Sequence, residues 1–97
     1  MPTFERLRRF NRDYEALSPD RKAQFYEAVK KFVADLESGG RFRRSLRVKA
    51  VRGAPGILEL TWAADGRATF EFGESVRPGE PHVIWRRIGA HDIFGSP

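Results

Sequence analysis

Apolar residues recur at helical spacing through the first third of the chain and at alternate positions through the rest. Phe10, Tyr14 and Leu17 stand at i, i+4 and i+7, which predicts a short helix over about 8–16. Ser18-Pro19-Asp20 then offers a capping hydroxyl, a proline suited to a first helical turn and an acid for that turn. Phe25, Val29, Phe32, Val33 and Leu36 form the next apolar face, opposed by Lys22, Glu27, Lys30, Lys31 and Asp35. This predicts an amphipathic helix over about 19–37, stopped by Gly39-Gly40.

Beyond Gly40 the period shortens to two. Leu46-Arg47-Val48-Lys49-Ala50 alternates apolar and basic, as a half-buried strand does, with Arg47 and Lys49 sharing a face. Gly53-Ala54-Pro55-Gly56 is a turn. Leu58, Leu60 and Trp62 alternate with Glu59 and Thr61, Asp65-Gly66 marks a hairpin, and 67–72 alternates again. The stretch 73–81 is turn-rich, and 82–88 is a strand apolar enough in its first half to be central. Thr3 to Leu7 is a candidate first strand. Helices first and antiparallel strands after predict an α+β fold: two N-terminal helices on one face of an antiparallel sheet of four to five strands, in a single domain spanning 1–97. Phe25, Phe32, Leu58, Leu60, Trp62, Phe70 and Phe72 are the expected core between the layers.

Charge adds a direction to this frame. The chain carries a net charge of +5, but residues 1–38 hold eight Lys/Arg against seven Asp/Glu. The excess sits in 41–52, where Arg41, Arg43, Arg44, Arg47, Lys49 and Arg52 have no acid among them. Such a patch favours nucleic acid or another anionic partner. A second cationic stretch, Arg86-Arg87-Ile88-Gly89-Ala90-His91, ends on one of only two histidines. The absence of cysteine removes disulfides, thiolate metal sites and cysteine nucleophiles. Two histidines nine residues apart do not make a zinc motif, and Gly53-Ala54-Pro55-Gly56 lacks the Lys-Ser/Thr ending of a phosphate loop. No metal or cofactor is therefore expected. No apolar run approaches the ~20 residues that span a bilayer, and the N-terminus lacks the apolar core of a secretory signal, so a soluble cytoplasmic protein is expected.

Four stretches, in this order, carry a resemblance to the RelE/ParE superfamily of type II toxins. They are Phe10-Asn11-Arg12-Asp13-Tyr14-Glu15-Ala16-Leu17, Leu46-Arg47-Val48-Lys49-Ala50-Val51-Arg52-Gly53, Gly56-Ile57-Leu58-Glu59-Leu60 with Gly66-Arg67, and Arg87-Ile88-Gly89-Ala90-His91-Asp92-Ile93-Phe94. The last is most similar to the branch with a histidine just after a glycine. The resemblance implies the toxin of a toxin–antitoxin pair. In the RelE branch it implies a metal-independent, ribosome-dependent endoribonuclease that cuts mRNA on a basic sheet surface. A cognate antitoxin would be its partner in a hetero-oligomer, and mRNA and ribosomal RNA its targets. The ParE branch shares the fold and inhibits gyrase instead, so that alternative, and a degenerate non-toxic member, stay open.

Metal-free RNA cleavage needs a base for the 2′-OH, cations at the phosphoryl oxygens and an acid for the leaving 5′-oxygen. An imidazole can give or take a proton at neutral pH, and His91 falls where the histidine branch carries its imidazole. Arg67 matches the arginine that contacts the scissile phosphate, and its fork suits two phosphate oxygens. Glu59, on the face away from the helices, is a candidate base or a partner holding Arg67. Lys49, Arg52, Arg47 and Arg44 are candidate phosphate contacts. Alternation gives Arg86 and Arg87 opposite faces, and Arg87 is the one expected at the site. The sequence departs from the family in two respects. Lysines that some members carry near Glu59 are absent, which puts the base in doubt, and Phe94 stands where several have a tyrosine, so core packing is its expected role. His82 is expected to be structural or exposed.

Overall fold

The computed structural model describes every residue from Met1 to Pro97. Its elements run β1 (Thr3–Arg6), α1 (Arg8–Glu15), α2 (Pro19–Glu37), β2 (Lys49–Ala50), β3 (Leu58–Thr61), β4 (Arg67–Gly73) and β5 (His82–Gly89). Short 3-10 segments lie at Arg44–Leu46 and His91–Gly95. The bounds of α2 are those its caps dictate. The Arg21 amide donates to Ser18 Oγ at 3.3 Å, and the Gly40 amide donates to the Asp35 carbonyl at 2.9 Å with Gly40 at φ +82°. The Asp35 carboxylate then receives the Arg43 amide, Nε and Nη2 at 2.9, 3.0 and 2.9 Å, which turns the chain back along the helix.

The five strands form one sheet in the order β1-β5-β4-β3-β2. Every pairing is antiparallel except β1 with β5, which is parallel. Both helices pack on one face, as the α+β pattern predicts. Trp85 is the hub of the interior, with ring centres of Phe32, Phe25, Phe70 and Phe10 at 5.3, 5.4, 5.5 and 5.9 Å. These rings remove large apolar areas from water, and their tilted contacts add the electrostatic preference of aromatic pairs. Phe72 departs from expectation: it is 44% exposed, since it lies toward the end of β4 beyond the helices' cover. No helix is long and apolar enough to cross a membrane.

Three local features differ from the alternating pattern. The predicted strand over 46–50 begins only at Lys49. Leu46 instead ends a 3-10 turn and inserts into the core at 2% exposure, and Arg47 follows in the left-handed region at φ +47°. Arg47 and Lys49 therefore do not share a strand face. Within β5 the register slips: Thr69 pairs with Arg87 while Phe70 pairs with Trp85, so Arg86 is an extra, bulged residue. The bulge cancels the opposite facing expected of Arg86 and Arg87. Finally, β5 is interior but not central; β4 holds the middle position.

Candidate functional site

Strand pairing sets two transverse rows on the sheet face away from the helices. Lys49 lies across from Glu59, Glu59 from Thr69 and Thr69 from Arg87. The next row joins Thr61, Arg67 and Gly89. His91 opens the 3-10 segment two residues past Gly89, so Arg67 and His91 belong to the same end of the sheet. Gly89 is small because Ile93 folds over it: a Cβ there would lie 2.9 Å from Ile93 Cγ2. That contact seats the segment bearing His91.

His91 is exposed, makes no side-chain hydrogen bond, and meets Phe94 edge-on at 5.0 Å. Phe94 is only half-buried; Ile93, at 3% exposure, takes the core role expected of Phe94. Arg67 is held by the hairpin that precedes it, its Nη1 donating to the carbonyls of Gly66, Ala63 and Ala64 at 2.9, 3.3 and 3.4 Å. Its Nε and Nη2 have no protein acceptor. Glu59 is 9% exposed and pairs with Lys49 at 3.7 Å, not with Arg67.

Arg87 is not a free cation at the site. Its Nε and Nη2 donate to Asp13 at 2.6 and 3.3 Å, and Asp13 also accepts the Ile88 amide at 3.2 Å. This carboxylate covers the edge of β5 where β1 has stopped at Arg6, opposite Trp85. Arg86 pairs with Glu71. The tail adds a further layer: the Ser96 carbonyl accepts from Arg9 and Arg87 at 2.8 and 3.0 Å, and the Pro97 carbonyl from Thr69 and Arg86 at 3.1 and 3.2 Å. Thr69 is thereby sealed from solvent.

The remaining basic candidates disperse. Arg44 is exposed in the first 3-10 turn, and Arg52 is exposed in the turn joining β2 to β3, at the far end of β3 from Arg67. Arg47 instead shares a cavity with Arg67 beside α2. His82 is buried and structural, bonded to Thr3 Oγ1 at 2.7 Å and to Glu5 at 2.8 Å, which fastens β1 to β5. No group of three or more His, Asp or Glu side chains gathers at metal-binding distance. Asp13, Thr69 and the tail carbonyls have no one-dimensional signal; they act here only through pairing distant in sequence.

No family model matches the sequence, and neither does any curated protein. Solved structures do. The chain is similar to a chain of the Escherichia coli DinJ-YafQ toxin-antitoxin complex, with a TM-score of 0.67 at 11% identity over 94% of this chain and 93% of that one. It is similar to the YoeB/ParE toxin from Agrobacterium tumefaciens, with a TM-score of 0.65 at 13% identity over 92% and 98%. A chain of the RelB-RelE antitoxin-toxin complex from Methanococcus jannaschii gives 0.56 at 13% over 97% and 95%. At these identities the likeness is one of fold, which this chain shares with those solved chains.

Proposed function

We propose that this protein is the toxin of a type II toxin–antitoxin pair and that it cuts ribosome-bound mRNA without a metal. The toxin reading is supported by near-complete overlap with chains solved in toxin–antitoxin complexes. The observation that carries the nuclease reading is His91: an exposed imidazole with no side-chain partner, at the sheet end where Arg67 lies across from Gly89. In this reading Arg67 meets the scissile phosphate with its Nε–Nη2 edge and stabilises charge on the phosphoryl oxygens. His91 moves the proton at the 5′-oxygen as the 2′-oxygen attacks phosphorus, leaving a 2′,3′-cyclic phosphate. Glu59 takes the 2′-OH proton, its carboxylate released when an RNA phosphate draws Lys49 away. Arg44, Arg47 and Arg52 contribute charge along the strand's path, and a cognate antitoxin covers the surface in the resting complex.

A gyrase-inhibiting, non-cleaving toxin is the second reading. It is favoured by the donors already consumed on the outer face, where Arg86, Arg87 and Thr69 are engaged by Glu71, Asp13 and the tail carbonyls. Expression without an antitoxin separates the two. The first reading predicts growth arrest with cleaved transcripts, and relief of arrest by His91→Ala or Arg67→Ala at unchanged circular dichroism. Arrested cells with intact transcripts and a defect in supercoiling would replace it with the second.

A further inference from the structure

A cavity of about 500 Å³ opens beside β3 where that strand loses its neighbour. β2 pairs with β3 only at Glu59 and Leu58, so the edge beyond Glu59 fronts α2 with no strand between. Three cations from separate elements line the cavity: Lys31 of α2, Arg47 after the 3-10 turn, and Arg67 of β4. None of them pairs with a carboxylate, whereas neighbouring Lys30, Arg43 and Lys49 all do. The one carboxylate in the wall, Glu27, is held by Lys30 at 2.9 Å.

One further observation marks this as more than a basic rim. Arg47 is the only residue other than glycine with a positive φ, a strained conformation that sets its side chain at the cavity. Trp62, also in the wall, is 7% exposed, and its Nε1–H has no acceptor. That nitrogen is sealed from solvent, so a ligand in the cavity does not bond it and the indole serves as a reporter beside the site. The indole ring itself is covered by the Gly66 backbone, where a Cβ would approach to 2.6 Å, and by the Arg21 guanidinium at 5.1 Å. A stacked base has no open indole face here.

We propose that this cavity binds a phosphate-bearing ligand of nucleotide size. Its phosphoryl oxygens lie on Lys31 and Arg47, with Arg67 lending charge from the wall. The volume falls within the roughly 300–1,000 Å³ of small-molecule sites and exceeds what inorganic phosphate needs. Gln24 and Ser45 supply further polar groups for the rest of the ligand. The site lies on the helix side of the β3 edge and stands whether or not the protein cuts RNA. The phosphate can come from a free mononucleotide or from an RNA strand.

The two indole N–H resonances of the ¹⁵N-labelled full chain test this, with Trp62→Phe identifying the signal of Trp62. The probes are 5′-AMP, inorganic phosphate and an uncleavable 2′-O-methyl hexanucleotide. The expected result is a saturable shift of the Trp62 signal by 5′-AMP or by the hexanucleotide, with inorganic phosphate weaker. Saturation by 5′-AMP assigns a free nucleotide; saturation by the hexanucleotide alone assigns an RNA phosphate. Lys31→Gln and Arg47→Gln should each weaken binding at least about tenfold, while Lys22→Gln, on α2 outside the cavity, leaves it unchanged. Each variant's fold is checked by its amide spectrum. Titrations that leave the Trp62 signal fixed, or that shift it equally in Lys31→Gln and the parent, would overturn the proposal.

Discussion

At the scale of single residues, the molecule separates cations that hold the fold from cations left free. Arg87 belongs to the first kind. Asp13 takes two of its donors and the Ile88 amide besides, with both side chains about four-fifths enclosed. Asp13→Ala strands a half-buried guanidinium and a backbone donor, and should cost about 2–3 kcal/mol in urea unfolding. A loss under about 0.5 kcal/mol would mean water replaces the carboxylate freely. Acid should act through two other pairs. Arg43 holds the Asp35 carboxyl below the usual carboxylate range, and Arg21 does the same for Asp65. A carboxyl lowered in the folded state contributes stability that is complete above its unfolded value and lost as pH falls through its folded value. The urea midpoint should therefore decline below about pH 4, and less steeply in Asp35→Asn. Asp35 matters more than Asp65, its side chain being 13% against 67% exposed. Residue type and the family resemblance name His91 and Arg67 as candidates from the sequence. The sequence could not assign Arg87, whose partner lies 74 positions away.

At the scale of elements, what was legible is what local chemistry decides. Ser18-Pro19 and Gly39-Gly40 fix the ends of α2, and Asp65-Gly66 fixes the hairpin into β4. The strand expected at 46–50 failed because one residue answered to the tertiary core: Leu46 is buried through a 3-10 turn, and the backbone recovers by placing Arg47 in the left-handed region. Arg47→Gly should relieve that strain and raise stability by about 0.5–1 kcal/mol in thermal or urea unfolding, while removing a cation from the α2 cavity. Destabilisation would show that the Arg47 side chain contributes more by packing than its backbone costs. The bulge at Arg86 escaped prediction for a related reason: strict alternation has no mark for an inserted residue. Gly89 makes the opposite test. Gly89→Val must push against Ile93 Cγ2, so it should shift the amide signals of 91–95 with the core signals unchanged and, under the proposed function, weaken growth arrest. Unmoved signals in 91–95 would detach His91's placement from that contact.

At the scale of the whole molecule, fold class and charge were readable before any coordinates, since period and composition are global properties. The openness of the sheet was not. The outer sheet face is partly covered by the 91–95 segment and by the carbonyls of Ser96 and Pro97. Under the proposed function, RNA would use what remains: the sheet end with Arg67 and His91, and the Lys49 edge. The central claim is that the imidazole at that end cleaves ribosome-bound message. It is tested most directly with purified protein in a reconstituted translation reaction, reading mRNA ends by primer extension. The account predicts discrete breaks bearing 2′,3′-cyclic phosphates that require ribosomes, persist in chelator-treated protein and fall at least about a hundredfold in His91→Ala. Breaks of equal strength in His91→Ala, or none in the parent protein, would contradict it.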